Sequence, residues 1–166
     1  LMIGYALAGS TLTLTGQNYG NKNMLRLKEA FETNLFIGIV GSLSLALIYN
    51  IFAYPIFSLL TENKSVLENC VKQVRFLSFS YVGIVVSIIL NSLFIGTGKP
   101  MLGLLFSFVR LYIFLIPACL LGVLIFNINI EIFMIIFITI NAITLFFSIF
   151  IGNKFCTTLK KSNIRV

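Results

Sequence analysis

The chain contains no histidine, no tryptophan and no aspartate. That removes an imidazole base, a nucleophile paired with imidazole, and any metal site built from His and Asp. There are no paired carboxylates and no glycine-rich phosphate loop either, so the chain is not read as an enzyme. Cys70, Cys119 and Cys156 stand far apart, in neither a CxxC pair nor a zinc spacing, and read as free thiols. Charge is also scarce. Charged residues make up 10% of the chain, where a soluble domain carries about 25%.

What is present is apolar. The chain is 58% hydrophobic, with a mean hydropathy of +1.03. A water-soluble domain of this size could not hide so much apolar surface without large exposed patches. The few charges also divide the chain into membrane-length pieces. Thr33 to Thr61 is uncharged, Lys99 is the only charge between Arg75 and Arg110, and Glu131 is the only one between Arg110 and Lys154. A hydrocarbon core of about 30 Å needs roughly 20 apolar residues per helix. The expected fold is therefore all-α: a polytopic bundle of transmembrane helices.

Five spans are expected, at about 1–16, 33–60, 74–95, 101–126 and 132–151. The first is short and reads as partial, as though the sequence began inside a helix. Polar loops are expected at Gln17–Glu32, Thr61–Lys72, Gly96–Pro100 and Asn127–Glu131, with a basic tail at 154–166. Gly96-Thr97-Gly98-Lys99-Pro100 combines flexible glycines with a proline suited to a helix start. Asn127-Ile128-Asn129 reads as a tight turn. Pro117 lies inside the fourth span and permits a kink there, and Pro55 marks a bend near the end of the second.

The net charge of +7 sits in short loops and the tail, a pattern that sets membrane orientation and does not point to nucleic acid. With the tail in the cytoplasm, Lys22, Arg26, Lys28, Lys99, Lys154, Lys160, Lys161 and Arg165 share its side. Lys64, Lys72 and Arg75 lie opposite, so the positive-inside rule favours this topology.

Polar residues inside the spans carry the functional hints. Ser80, Ser87 and Asn91 share a face of the third span, near Gly83; Asn141, Thr144, Ser148 and Gly152 align on the fifth. Two readings stay open for them: lining a polar cavity, or bonding between closely packed helices. Stripes at Gly4, Ala8, Thr11 and Thr15, and at Asn34, Gly38, Ser42 and Ala46, read first as packing surfaces. Arg110 lies about 13 Å into the fourth span at 1.5 Å per residue. A charge at that depth marks a functional site, although an arginine can also snorkel to the interface. No Asp or Glu falls inside a span.

The segment Gly16-Gln17-Asn18-Tyr19-Gly20-Asn21-Lys22-Asn23, after a Thr/Ala-rich helix, resembles the loop of MATE (multidrug and toxic compound extrusion) transporters. The run Phe94-Ile95-Gly96-Thr97-Gly98-Lys99-Pro100 resembles a short turn between two helices of that family's lobes. The resemblance implies a twelve-helix, two-lobed transporter of which this chain is the C-terminal lobe from a partial eighth span onward. It implies efflux of organic cations and other drugs in exchange for sodium ions or protons, in a cell membrane such as a bacterial inner membrane. The partners would be the bilayer, the N-terminal lobe and small drug-like molecules, with no cofactor. The sodium-coupled branch carries a carboxylate on the helix matching Val74–Ile95; none is present here, which points the coupling site to the other lobe. Gln17 and Asn18 would bond free carbonyls at the end of the first helix, Gly20 would tolerate the turn, and Gly16, Gly96, Gly98 and Pro100 belong to the same structural or gating motifs. The cavity would be lined by Ser80, Ser87, Asn91, Arg110 and Asn141, with Tyr81, Tyr112 and Phe114 giving apolar contact. Two other readings remain: a flippase for lipid-linked saccharides or lipids with a related helix plan, and a truncated membrane fragment without activity.

Overall fold

A computed structural model describes residues 1–118, 120 and 130–163. The expected turn at Asn127-Ile128-Asn129 lies outside the described residues, as do Cys119 and Arg165. The described residues form α1 (Met2–Gly20), α2 (Met24–Ser58), α3 (Lys64–Leu77), α4 (Ser80–Gly96) and α5 (Pro100–Phe108). A π-helical stretch, Val109–Leu115, follows α5, and α6 spans Ile130–Asn163. Among the described residues there is no strand. The helices Met24–Ser58, Pro100–Ala118 and Ile132–Lys161 are long and apolar enough to cross a membrane. Lys64–Leu77 and Ser80–Gly96 form a further broken span, bent by 47°. With the shorter α1, this is the expected membrane bundle.

Helix ends depart from the sequence expectation in an informative way. The region Gln17–Glu32 is not a loop. α1 runs through the Gly-Gln-Asn segment to Gly20, and α2 starts at Met24. The turn between them is closed by paired backbone bonds, Asn23 N–H to Asn18 C=O (2.8 Å) and Lys22 N–H to Tyr19 C=O (3.1 Å). Lys22, not Gly20, takes the left-handed conformation (φ 55°). Asn23 then caps α2 by accepting from the Arg26 N–H at 3.2 Å. The turn after α4 repeats this geometry. Lys99 N–H reaches Phe94 C=O (2.8 Å) and Gly98 N–H reaches Ile95 C=O (3.0 Å), with Gly98 at φ +72°. Both are Schellman closures. Pro100 opens α5, where its missing N–H leaves no bond unmade.

The third span begins earlier than the apolar run predicts. Lys64–Leu77 is already helical, capped by Asn63, and the break falls at Ser78 and Phe79. Asn50 on α2 donates to the Ser78 hydroxyl at 2.7 Å, tying the break to its neighbour. The basic segment after Lys154 is helical, since α6 continues through it to Asn163. In the fourth span, Pro117 cannot donate to the carbonyl four residues back. The preceding turns widen instead, with Ile116 N–H bonding the Leu111 carbonyl.

α4 is the centre of the bundle. Val82, Val85, Val86, Ile89, Leu90, Leu93 and Phe94 are all buried, as an all-round apolar helix requires. Leu27, Phe31 and Leu35 of α2 and Cys156 and Leu159 of α6 complete this core. On the outside, Phe36, Ile51, Phe146 and Phe150 are each at least 65% exposed, a surface suited to lipid. Lys99 stands over the Phe155 ring at 5.3 Å, so the α4–α5 turn and the basic end of α6 lie together.

Candidate functional site

The polar residues of the spans divide into two places. The first is a seam between α4 and α6. Gly83 lets the helices meet: a Cβ there would strike the Asn141 carbonyl oxygen. One turn on, the Ser87 hydroxyl donates to the Gly83 carbonyl at 2.8 Å and lies 3.4 Å from the Ser148 hydroxyl. Asn141 is 1% exposed. Its Nδ2 donates to the Phe137 carbonyl at 2.8 Å, while its Oδ1 has no hydrogen-bond partner among the described residues. Ser80 is buried and donates to the Leu77 carbonyl at 2.7 Å. Ser80, Ser87 and Asn141 thus lie inside the helix bundle. Asn91 is half-buried on α4, with its Oδ1 over Gly103 of α5, where a Cβ would collide with it.

The second place is a cavity of about 490 Å³ between α5, the π-helical stretch and α6. Leu102 and Phe106 form its α5 side. Phe114 and Arg110 come from the π-helical turns, and Ile140, Thr144, Phe147 and Ile151 from one face of α6. Among the described residues Arg110 is its only charged group, and it is half-buried. The structure therefore separates Arg110 from Ser80, Ser87 and Asn141. Thr144, from the seam stripe, reaches the groove, and its hydroxyl is tied to the Ile140 carbonyl at 2.7 Å. Of the aromatic candidates, Phe114 lines this groove, and Tyr112 stacks on Phe108 at 4.6 Å. Tyr81 lines a different cavity of about 540 Å³, with Ser42, Tyr49, Gln73 and Ser78.

The groove walls on α6 were not singled out by sequence. Their signal, apolar residues at 140, 143, 147 and 151, is the common helical period and looks like any lipid-facing stripe. The two glycine motifs do converge. Gly16 on α1 lies opposite Gly96 on α4, its would-be Cβ 3.5 Å from the Gly96 carbonyl oxygen. Among the described residues no cluster of His, Cys, Asp or Glu could hold a metal.

A bundle of membrane-length helices, with small residues at its crossings and a charged group in a groove between two of them, defines a polytopic helical membrane protein. The MatE family model matches residues 1–121, and the chain belongs to that family. Two solved structures share the fold. One is an outward-facing multidrug resistance MATE family transporter of the MOP superfamily, with TM-score 0.84 and 20% identity, covering 93% of this chain and 35% of that one. The other is an inward-facing multidrug resistance MATE family transporter of the same superfamily, with TM-score 0.82 and 19% identity, covering 96% of this chain and 39% of that one. The chain thus spans somewhat over a third of the length of those transporters. No curated protein sequence matches it.

Proposed function

We propose that the chain forms the C-terminal lobe of a secondary active multidrug exporter, which moves organic cations and other drug-like molecules out of the cell against sodium ions or protons. Membership of the MatE family carries this reading. The chain superposes about equally well on outward- and inward-facing transporters, with TM-scores of 0.84 and 0.82. A lobe that moves as a rigid body in a rocking cycle would do so. The apolar stretches of the spans hold no carboxylate, Glu29, Glu32 and Glu68 lying in their polar ends, so the reading assigns ion coupling to the partner lobe. The basic end, with Lys22, Lys99 and Lys154, faces the cytoplasm of the plasma membrane by the positive-inside rule.

The test is efflux of a fluorescent organic cation from cells lacking their own drug exporters, after expression of the reading frame that encodes the chain. Inverted vesicles from the same cells, given an imposed sodium or proton gradient, identify the coupling ion. Gradient-dependent uptake supports the reading; uptake equal to that of empty vesicles under both gradients overturns it.

A further inference from the structure

We propose that the Arg110 groove binds an amphipathic organic anion, with its acid group on the guanidinium and its apolar body along α5 and α6. This deepens the transporter reading by naming a cargo class for one site, but the binding itself does not depend on transport. Arg110 sits eleven residues beyond Lys99, about 16 Å along the helix and well inside the hydrocarbon layer. A cation at that depth requires a counter-charge or water. Among the described residues its side chain has neither an ion pair nor a side-chain hydrogen bond. Glu29 and Glu32 lie in the first three turns of α2, Glu62 precedes α3 and Glu68 lies within α3, and none of them lines the groove. Glu131 lies thirteen residues before the groove's Thr144, about 20 Å along α6. Among the described residues no acid lines the groove or pairs with Arg110.

The rest of the groove tells what accompanies the negative charge. Apart from Arg110 and Thr144 its walls are aliphatic or aromatic, and its volume of about 490 Å³ suits a small molecule. An organic cation would be repelled, and a neutral molecule would leave the guanidinium desolvated and unmatched. A compact inorganic anion would not use the walls. A carboxylate or phosphate on an alkyl or aryl body satisfies both. The guanidinium can grip such a group with two parallel N–H bonds. The π-helical turns that carry Arg110 are a type of irregularity frequent at functional sites.

The experiment uses the protein in nanodiscs of zwitterionic lipid, with no ion gradient, so that binding and transport are read separately. Three fluorescent probes share one apolar body and carry a carboxylate, its methyl ester or a quaternary ammonium. The carboxylate should bind about tenfold more tightly than the ester, the size of one charge-assisted hydrogen bond, and the ammonium more weakly still. Arg110→Gln should bring the carboxylate down to the ester's affinity, and Arg110→Lys should keep most of the preference. Displacement of the bound carboxylate by an anionic phospholipid would assign the cargo to the bilayer, and displacement by a water-soluble aryl carboxylate would assign it to solution. Equal affinity for acid and ester in the unmodified protein overturns the proposal, and so does an Arg110→Gln variant with undiminished preference. If Arg110→Gln does not fold, the acid–ester comparison and Arg110→Lys still decide.

Discussion

Gly96 lies directly beneath the Thr15 hydroxyl, with no room for a methyl group between them. A Cβ on Gly96 would collide with the Thr15 Oγ and lie 2.9 Å from the Leu12 carbonyl oxygen. The Thr15 hydroxyl cannot readily turn away, because it donates to the Thr11 carbonyl at 2.6 Å. Gly96→Ala should therefore force α1 and α4 apart and lower stability by about 1–3 kcal/mol, the usual range for overpacking. Gly16→Ala, across the same crossing, meets only ordinary contact at 3.5 Å. In the helix interior it should be neutral or stabilising by about 0.5–1 kcal/mol. Denaturant unfolding of both variants in detergent gives the two signs; equal losses would mean the helices cross elsewhere.

Gly98 isolates a backbone effect. Nothing lies within 4 Å of a Cβ built there, but its φ of +72° is left-handed. Gly98→Ala should cost about 1–2 kcal/mol from conformation alone, and Gly98→Asn less, because asparagine tolerates this region. The matching position of the α1–α2 turn is Lys22, which holds φ 55° with a full side chain. Thermal unfolding midpoints ordered Gly, then Asn, then Ala would agree; Ala equal to Gly would show that the turn is not left-handed.

Asn34 joins α2 to α1 through a buried polar contact. Its Nδ2 donates to the Thr11 hydroxyl at 2.9 Å and to the Ser10 hydroxyl at 3.4 Å. Hydrogen bonds between membrane helices average about 0.6 kcal/mol, with a maximum of about 1.7. A double-mutant cycle with Asn34→Leu and Thr11→Val should return a coupling energy in that range. A coupling of zero would assign Asn34 to lipid or water.

Charge spacing made the spans legible, because charges grouped with Gly, Pro or other polar residues mark the interfaces, whereas the isolated Arg110 falls inside a span. It did not reveal where helices end. The Gly16–Gly20 segment looks like a loop by polarity, yet Asn18 turns its Nδ2 back on the Leu14 carbonyl at 2.7 Å and remains helical. The charged residues Lys64, Glu68 and Lys72 looked like a loop for the same reason, yet they continue a helix that buries only Leu67 and Val71. Polarity reports contact with water, and a helix can extend into water. The candidate site was legible one residue at a time. Arg110 stood out as an isolated charge, whereas its groove depends on which face of α6 meets α5, and helical period alone does not say so.

Asn141 separates packing from function in the α4–α6 seam. Its Nδ2 is satisfied within its own helix, while its Oδ1 is buried and has no partner among the described residues. The close approach to Gly83 involves the Asn141 backbone oxygen, so a change of side chain leaves that crossing intact. Leucine has the same number and branching of side-chain heavy atoms as asparagine, though it is bulkier, and brings no unmet acceptor. If the amide only fills space, Asn141→Leu removes a desolvated oxygen and should hold stability level or raise it by about 1–3 kcal/mol. We expect that outcome in detergent unfolding. A loss of about 2 kcal/mol or more would mean that the Oδ1 has a partner in the membrane, a water or an ion whose bond the amide was holding. Measuring drug efflux on the same variant completes the argument. Unchanged stability with lost efflux would make Asn141 a contact for solute or ion, and unchanged values of both would leave it as helix packing.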